Sequence, residues 1–283
     1  MSELRFAYNT NGLANHRLED ALRLLADCGY DGVALTLDHH HLDPFSQDLT
    51  RQLDALRRCL DDLGLAVVIE TGARFLLDPR RKHEPTLLSD RGRDLRIDFL
   101  RRAIDIAAAL DAEAMSFWSG VRPLNVDLRV AWRRLIDGCA VVLEAAEERG
   151  VALGFEPEPG HLVDRLDRYD RLVAALGNPN RLRLTLDVGH CLCVEDEPIP
   201  VCIFERGEQL VNVHIEDMRR GVHEHLDFGE GEIAFSPVLE SFSEVGYRGL
   251  VSVELSRHSH AAHIAVPRAI GFLRKAARKG ASV

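Results

Sequence analysis

The chain has 283 residues, with 45 acidic and 35 basic side chains and a formal net charge of −10 when His is neutral. Hydrophobic residues make up 46% and charged residues 28%, a balance typical of soluble globular proteins. The negative charge argues against general affinity for nucleic acid or anionic membranes, because both require a positive field. No signal-peptide pattern begins the chain, and no stretch approaches the roughly 18 apolar residues of a membrane span. We predict a soluble, cytoplasmic protein.

The cysteine and histidine contents add two observations. The six cysteines form no CxxC pair, so we expect reduced thiols rather than a disulfide framework. Thirteen histidines are unusual for a chain of this length and raise the question of a metal site.

Short β-rich runs alternate with amphipathic helices eight times along the chain. The first strand is predicted at 5–10, and its helix over 16–28, where Leu18, Leu22 and Leu25 lie on one face. Most strands are continuous aliphatic runs, as expected for strands covered on both faces. The later strand and helix pairs are predicted at 32–37 and 48–63, 65–70 and 91–110, 114–118 and 127–149, 152–156 and 166–176, 182–187 and 200–209, 210–215 and 236–245, and 250–255 and 265–278.

Eight strand–helix units without a linker predict an α/β fold, a single-domain (β/α)8 TIM barrel over residues 1–283. The alternative is a doubly wound open sheet. That fold usually has a glycine-rich turn after its first strand, and the segment NTNGLAN matches such a turn poorly. The barrel is therefore the favoured architecture.

Four successive predicted strands end in a carboxylate or an imidazole. Side chains at the carboxyl ends of barrel strands converge on one mouth, where active sites are built. Such oxygen and nitrogen ligands suit one divalent ion of Mn, Mg, Co or Zn, which would also offset the repulsion among the carboxylates. These residues are Glu156, Asp187, His214 and Glu254.

The segments LGFEPEPG, LTLDVGH, VNVHIED, HEHLDFGEGEI and GYRGLVSVEL resemble those of the xylose isomerase-like TIM barrels. This superfamily includes sugar phosphate isomerases and epimerases, inosose-processing enzymes and endonuclease IV. The resemblance implies that the four strand-end residues bind the metal, without an organic cofactor. It also implies that Glu156 and Glu254 move a proton next to a metal-bound carbonyl, through an enediolate.

The resemblance also implies a set of substrate contacts. His190, three residues after Asp187, would hold or polarise the carbonyl, although capping of a helix explains it too. Arg219 or Arg220 would bind a hydroxyl or phosphate, although a solvated pair in a loop is equally consistent. The other predicted substrate-binding residues are Glu70, Trp118 and Glu158.

A second metal is a further hypothesis, because endonuclease IV holds additional zinc with an acid-x-His pair before a similar GEG. Here the acid position is His223, and His225 retains the imidazole. The strands that supply His residues in that enzyme end here in Glu70 and in the run MSFW. A three-metal phosphodiesterase site is thus disfavoured, and a second ion near His225 and Glu70 stays open.

The segment 70–89 holds Arg74, Arg80, Arg81, Lys82 and His83 on the side of the predicted site. It is either a solvated loop or a lid that recognises phosphate or carboxylate. The leading hypothesis for the chain is an isomerase or epimerase of a small keto-sugar, cyclitol ketone or sugar phosphate. A lyase that dehydrates a keto-cyclitol or keto-acid is the alternative. The expected partner is a small polyhydroxylated molecule, with a homodimer left open.

Overall fold

The structure is a computed structural model that describes residues 4–280, with side chains to residue 278. Residues 1–3 and 281–283 of the predicted domain lie outside this range. Eight parallel strands close into a barrel in the order β1-β10-β7-β6-β5-β4-β3-β2. The strands are Arg5–Asn9 (β1), Gly32–Thr36 (β2), Ala66–Glu70 (β3), Met115–Phe117 (β4), Leu153–Phe155 (β5), Leu182–Asp187 (β6), Leu210–Ile215 (β7), Asp217–Arg219 (β8), Val222–Leu226 (β9) and Leu250–Val253 (β10).

Helices connect the barrel strands and cover the outside of the barrel. They are Leu18–Cys28 (α1), Leu49–Leu63 (α2), Arg93–Ala109 (α3), Leu128–Arg149 (α4), Leu166–Ala175 (α5), Val188–Val194 (α6), Ile199–Arg206 (α7), Phe235–Glu244 (α8) and Ala262–Gly280 (α9). Helices α1 and α2 end at Gly29 and Gly64, whose φ values of 81° and 65° are favourable only for glycine. The predicted (β/α)8 barrel is confirmed.

Two elements differ from the sequence-based prediction. Residues 216–235 were predicted as a loop, but β8 and β9 form an antiparallel hairpin there. The hairpin is short and polar, so its sequence lacks the aliphatic run by which the barrel strands were recognised. Helix α6 was also missed. Its seven residues are too few to show helical periodicity, and it begins directly at the end of β6.

The core has an inner and an outer layer. The outer layer lies between the strands and the helices and contains large side chains such as Tyr8, Phe99 and Phe155. The inner layer is formed by Ala7, Ala34, Val68, Ala114 and Leu250.

Two further predictions concern cysteines and membranes. The structure places all six cysteines as free thiols, as the spacing predicted. Within residues 4–280, none of the helices combines the length and apolar composition that a membrane span requires.

Candidate active site

The four predicted metal ligands meet at the carboxyl end of the barrel, where their ligand atoms all lie within 4.8 Å of one another. We call Glu156, Asp187, His214 and Glu254 the ligand cluster. Nδ1 of His214 lies 3.0 Å from Glu156 Oε1, 3.2 Å from Glu254 Oε2 and 4.0 Å from Asp187 Oδ2. Because β5, β6, β7 and β10 are consecutive in the barrel, the four side chains are neighbours in space.

The junction of β6 and α6 fixes Asp187 and leaves one of its oxygens free. Asp187 caps α6, since its Oδ1 accepts a hydrogen bond of 2.7 Å from the backbone N–H of His190. Its Oδ2 is buried and has no hydrogen-bond partner among the described residues. An unpaired carboxylate oxygen is costly in a protein interior, so this atom fits a site for a positive ligand.

Glu70 reaches His214 from the far side of the barrel, because β3 is not adjacent to β7. Its Oε1 lies 2.8 Å from His214 Nε2 and accepts a 2.9 Å hydrogen bond from Asn212 Nδ2. The carboxylate therefore favours a proton on Nε2 and leaves Nδ1 to face the other carboxylates. Metal-binding histidines commonly donate their second nitrogen to a carboxylate in this way.

Electrostatics in the ligand cluster are dominated by burial and by mutual charge. Burial, with the charges of Glu254 and Asp187, raises the pKa of Glu156 to about 8 against the opposing effect of His214. Burial lowers the pKa of His214, but Glu70, Glu156 and Glu254 outweigh it and hold that pKa well above its ordinary value. Such concentrated charge is typical of functional sites.

The donor set fits a divalent ion. It provides three carboxylates and one imidazole nitrogen in a buried position, which suits Mn, Mg, Co or Zn. The orphan Oδ2 of Asp187 and the tautomer set by Glu70 are the observations that support the fit. These residues are the ones that would hold the metal, and the identity of the metal stays a prediction.

A cavity of about 270 Å³ opens above the ligand cluster. This volume is close to the ~300 Å³ lower limit for small-molecule sites, so it suits a small ligand. Its lining is mainly polar and includes three members of the cluster, Glu156, His214 and Glu254. The predicted substrate-binding residues Trp118 and Glu158 line it as well.

The other predicted substrate contacts differ in where they lie. Glu70 lines the cavity but is bound to His214, and His190 lies behind the cavity lining, 3.1 Å from Pro157 O through Nδ1. Arg219 donates to Glu230 O and Arg220 to Glu195 O, and neither lines the cavity. The structure therefore does not bring the two arginines to the site.

The predicted second metal near His225 and Glu70 is not supported as a pair, because Glu70 is bound to His214 and is not grouped with His225. His225 instead lies with His190 and His223, whose nitrogen atoms fall within 4.8 Å of one another. Nδ1 of His225 lies 3.1 Å from Glu254 O, which leaves Nε2 available to a ligand.

Sequence reasoning missed three polar residues of the site. Asn11 donates a 2.7 Å hydrogen bond from Nδ2 to Glu254 Oε1, and its backbone follows β1 without any motif that marks it. Asn212 lies two residues before His214 on β7, so the period of two along a strand was an available signal. Glu216 is fully buried, and neither of its carboxyl oxygens accepts a hydrogen bond from the described residues, although Oε2 lies 3.8 Å from His225 Nδ1.

Comparison with known proteins agrees with this architecture. A family model described as a xylose isomerase-like TIM barrel matches residues 22–276, so the chain belongs to that family. Over 244 residues it is 25% identical to L-ribulose-5-phosphate 3-epimerase UlaE of Shigella flexneri serotype 5b, covering 83% of this chain and 81% of the relative. Over 141 residues it is 28% identical to inosose dehydratase of Lacticaseibacillus casei, covering 44% of this chain and 46% of that enzyme.

Solved structures show the same fold. The structure of L-ribulose 3-epimerase has a TM-score of 0.77 and 20% sequence identity, over 99% of this chain and 99% of that chain. At this identity the likeness establishes the barrel and no more.

Proposed function

We propose that the chain is a divalent-metal-dependent isomerase or epimerase of a small polyhydroxylated ketone. The observation that carries this proposal is the ligand cluster, whose donor atoms lie within 4.8 Å of one another beside a small polar cavity. Similarity to UlaE supports the same class of reaction. The bound ion would polarise the substrate carbonyl and offset the charge of the enediolate.

Glu156 and Glu254 are the proposed proton-transfer residues. They follow β5 and β10, and both line the cavity, so a substrate held there has a carboxylate on two sides. One carboxylate would take the proton on the carbon next to the carbonyl, and the other would return a proton to the opposite face. Asn11 holds Oε1 of Glu254 and thereby orients Oε2 toward the cluster.

A dehydratase acting on a keto-cyclitol or keto-acid is the second candidate. It would begin with the same proton removal and differ in the loss of a neighbouring hydroxyl. Similarity to inosose dehydratase over 44% of the chain favours keeping this candidate. A phosphodiesterase has less support, because β3 and β4 provide Glu70 and Ser116 rather than histidines at the site.

The test joins metal analysis with proton exchange. We expect the purified protein to bind about one equivalent of Mn²⁺ per cluster and to exchange solvent deuterium into the α-carbon of a ketose, detected by NMR. Glu156→Gln and Glu254→Gln should weaken metal binding and lower exchange by at least ~10²-fold. Glu113→Gln is the control, because Glu113 pairs with Arg5 and lies outside the cavity lining.

The outcomes separate the candidates. Exchange without loss of water identifies an isomerase or epimerase, and an absorbing dehydrated product identifies a lyase. A protein that binds no divalent ion, or whose metal affinity is unchanged in both glutamine variants, would contradict the proposal.

A cytoplasmic location, a small-molecule partner, a homodimer and a second ion beside His225 stay predictions. A measured stoichiometry of two ions per chain would indicate the second ion, and His225→Ala should then lower it to one.

A further inference from the structure

The long segment between β3 and α3, residues 71–92, sorts its basic side chains into two groups. We call this segment the β3–α3 loop. Arg81 pairs with Asp78, whose Oδ1 also accepts the backbone N–H of Arg80, and neither arginine lines the cavity. Arg74 and Lys82 do line the cavity. The loop therefore turns two of its cations toward the candidate active site and leaves three, Arg80, Arg81 and Arg91, outside the cavity lining.

The loop is held in this arrangement by contacts within the fold. The buried guanidinium of Arg96 donates to the carbonyl oxygens of Thr71, His83 and Pro85, at 3.2, 2.8 and 2.7 Å. The backbone N–H of His83 also donates to Arg74 O at 2.6 Å. The start and the middle of the loop are thus tied to α3, and Lys82, next to His83, is held at the edge of the cavity.

The positive charges of this edge differ in how far they are compensated. Arg257 also lines the cavity, but it is paired with Glu224. Arg74 donates only to two backbone carbonyl oxygens, those of Asn11 and Ser256. Lys82 forms no ion pair or hydrogen bond within the part of the chain that the structure describes. Arg74 and Lys82 therefore present positive charge that no carboxylate neutralises.

We propose that the substrate carries an anionic group, a phosphate or a carboxylate, which binds to Lys82 and Arg74 while its carbonyl end lies at the ligand cluster. This inference rests on the proposed function and specifies its substrate class. The two ends of the cavity carry opposite charges, because carboxylates line its floor and the unpaired cations lie at its edge. A ketone with a charged far end matches both, and its charge would also be attracted to the cavity from a distance.

The position of the other arginines supports this assignment. Arg219 and Arg220 are bound to backbone carbonyls outside the cavity lining, so they do not supply a charge for an anionic substrate. His83 and His161 line the cavity, and burial lowers their pKa values to about 4 and 3, so both are neutral at pH 7. The β3–α3 loop is thus the main source of uncompensated positive charge.

The test compares three ketoses that differ only at the sixth carbon: D-fructose, D-fructose 6-phosphate and D-fructuronate. Ketose phosphates of four and five carbons, with their neutral parents, extend the panel. We expect deuterium exchange in the Mn²⁺-loaded enzyme to show a kcat/KM at least ~10-fold higher for an anionic member than for its neutral parent. Comparison of kcat/KM for the phosphate and for the carboxylate substrates shows which anion is preferred.

Variants of the loop test whether Lys82 causes the preference for anionic ketoses. Lys82→Ala should lower kcat/KM for the preferred anionic ketose by roughly 10- to 100-fold, mainly through KM, and by at least ~10-fold more than for the neutral parent. Lys82→Arg should restore most of the loss. Arg80→Ala is the matched control, because it removes a charge from the same loop outside the cavity lining.

Binding separates this inference from the proposed function. If no ketose exchanges deuterium, the proposed reaction fails, and calorimetric affinities of the same panel and of inorganic phosphate then test the anion site alone. Tighter binding of an anionic probe that is lost in Lys82→Ala and kept in Arg80→Ala supports the site. Equal affinity for anionic and neutral probes, or equal loss in both variants, overturns it.

Discussion

Glu70 acts on the ligand cluster through His214. Its Oε1 accepts hydrogen bonds from His214 Nε2 and from Asn212 Nδ2, so this one oxygen binds two side chains of β7. Because Glu70 is 5% exposed and lies on β3, this contact spans the inside of the barrel. Glu70 therefore orients His214 and also lines the cavity, and its binding of substrate stays a prediction.

Replacing Glu70 by Gln should weaken the metal site. The amide cannot carry the negative charge that favours the Nε2 proton of His214, so we expect the dissociation constant for Mn²⁺ to rise by about 10- to 100-fold. Isothermal titration calorimetry measures this change. Glu113→Gln should leave the constant unaltered, and a Glu70→Gln protein with wild-type affinity would show that Glu70 does not act through the metal ligand.

His161 should make the fold sensitive to acid. Burial lowers its pKa to about 3, helped by the positive charges of His83, His223 and Arg96. The unfolded chain binds a proton at this position near pH 6.5, whereas the folded protein does not until about pH 3. Stability is therefore lost as the pH falls from about 6.5 toward 3, by on the order of 3 kcal/mol by pH 4.

The measurement is the thermal midpoint of the wild type and of His161→Asn at several pH values. Other groups titrate in both proteins, so the informative quantity is the difference between them. We expect that difference to move in favour of the variant as the pH is lowered below 6.5. A difference that is constant from pH 7 to pH 4 would rule out this role for His161.

At the scale of elements, the β3–α3 loop is the part whose role the sequence left open. The structure shows that this loop lies at the cavity and is held against α3 by hydrogen bonds from Arg96. That guanidinium is 3% exposed, has no carboxylate partner among the described residues, and lies 5.0 Å from the ring of Trp118. Its three carbonyl contacts join the beginning of the loop to its middle, at His83 and Pro85.

Arg96→Met should therefore release the loop. Three carbonyl oxygens lose their donor, which we expect to cost about 2–4 kcal/mol of unfolding free energy and to speed amide hydrogen exchange in the β3–α3 loop. Urea unfolding and hydrogen-exchange mass spectrometry measure the two effects. Arg91→Ala is the control on the exposed side of the same loop. Unchanged exchange in the loop would mean that Arg96 does not hold it.

The sequence predicted the elements well wherever their hydrophobic pattern was long. All eight barrel strands and the helices α1 to α5 were found to within a few residues, because aliphatic runs and helical stripes are local signals. The hairpin β8–β9 and helix α6 were missed because each is short and is held by contacts with the rest of the fold. Gly189 in α6 illustrates this dependence, since a Cβ there would clash with Glu216 Oε1.

At the scale of the whole molecule, closure of the barrel brings the site together. Strand order places β5, β6, β7 and β10 side by side, so residues separated by tens of positions share one small volume. Asp187 and His214 are paired directly in the register of β6 and β7. The metal would link four strands of the barrel at once and should therefore stabilise the native state as a whole.

Metal binding should raise the thermal midpoint. At a free Mn²⁺ concentration about 100 times the dissociation constant, we expect a gain of ~2.7 kcal/mol, or a rise of roughly 5–10 °C. Treatment with EDTA should reverse it, and Glu156→Gln should abolish it. Differential scanning calorimetry measures the shift. An equal shift in Glu156→Gln would assign the stabilisation to another site.

The sequence by itself determined the barrel and the four residues of the ligand cluster. Strand ends and aliphatic runs are local features, and in a parallel barrel the strand ends converge on one mouth whatever the details of packing. Only the tertiary structure decided which side chains face that mouth. It placed Glu70 against His214, Asn11 against Glu254, and Lys82 rather than Arg219 at the cavity. These contacts join distant segments of the chain, and no local pattern encodes the direction in which a loop side chain points.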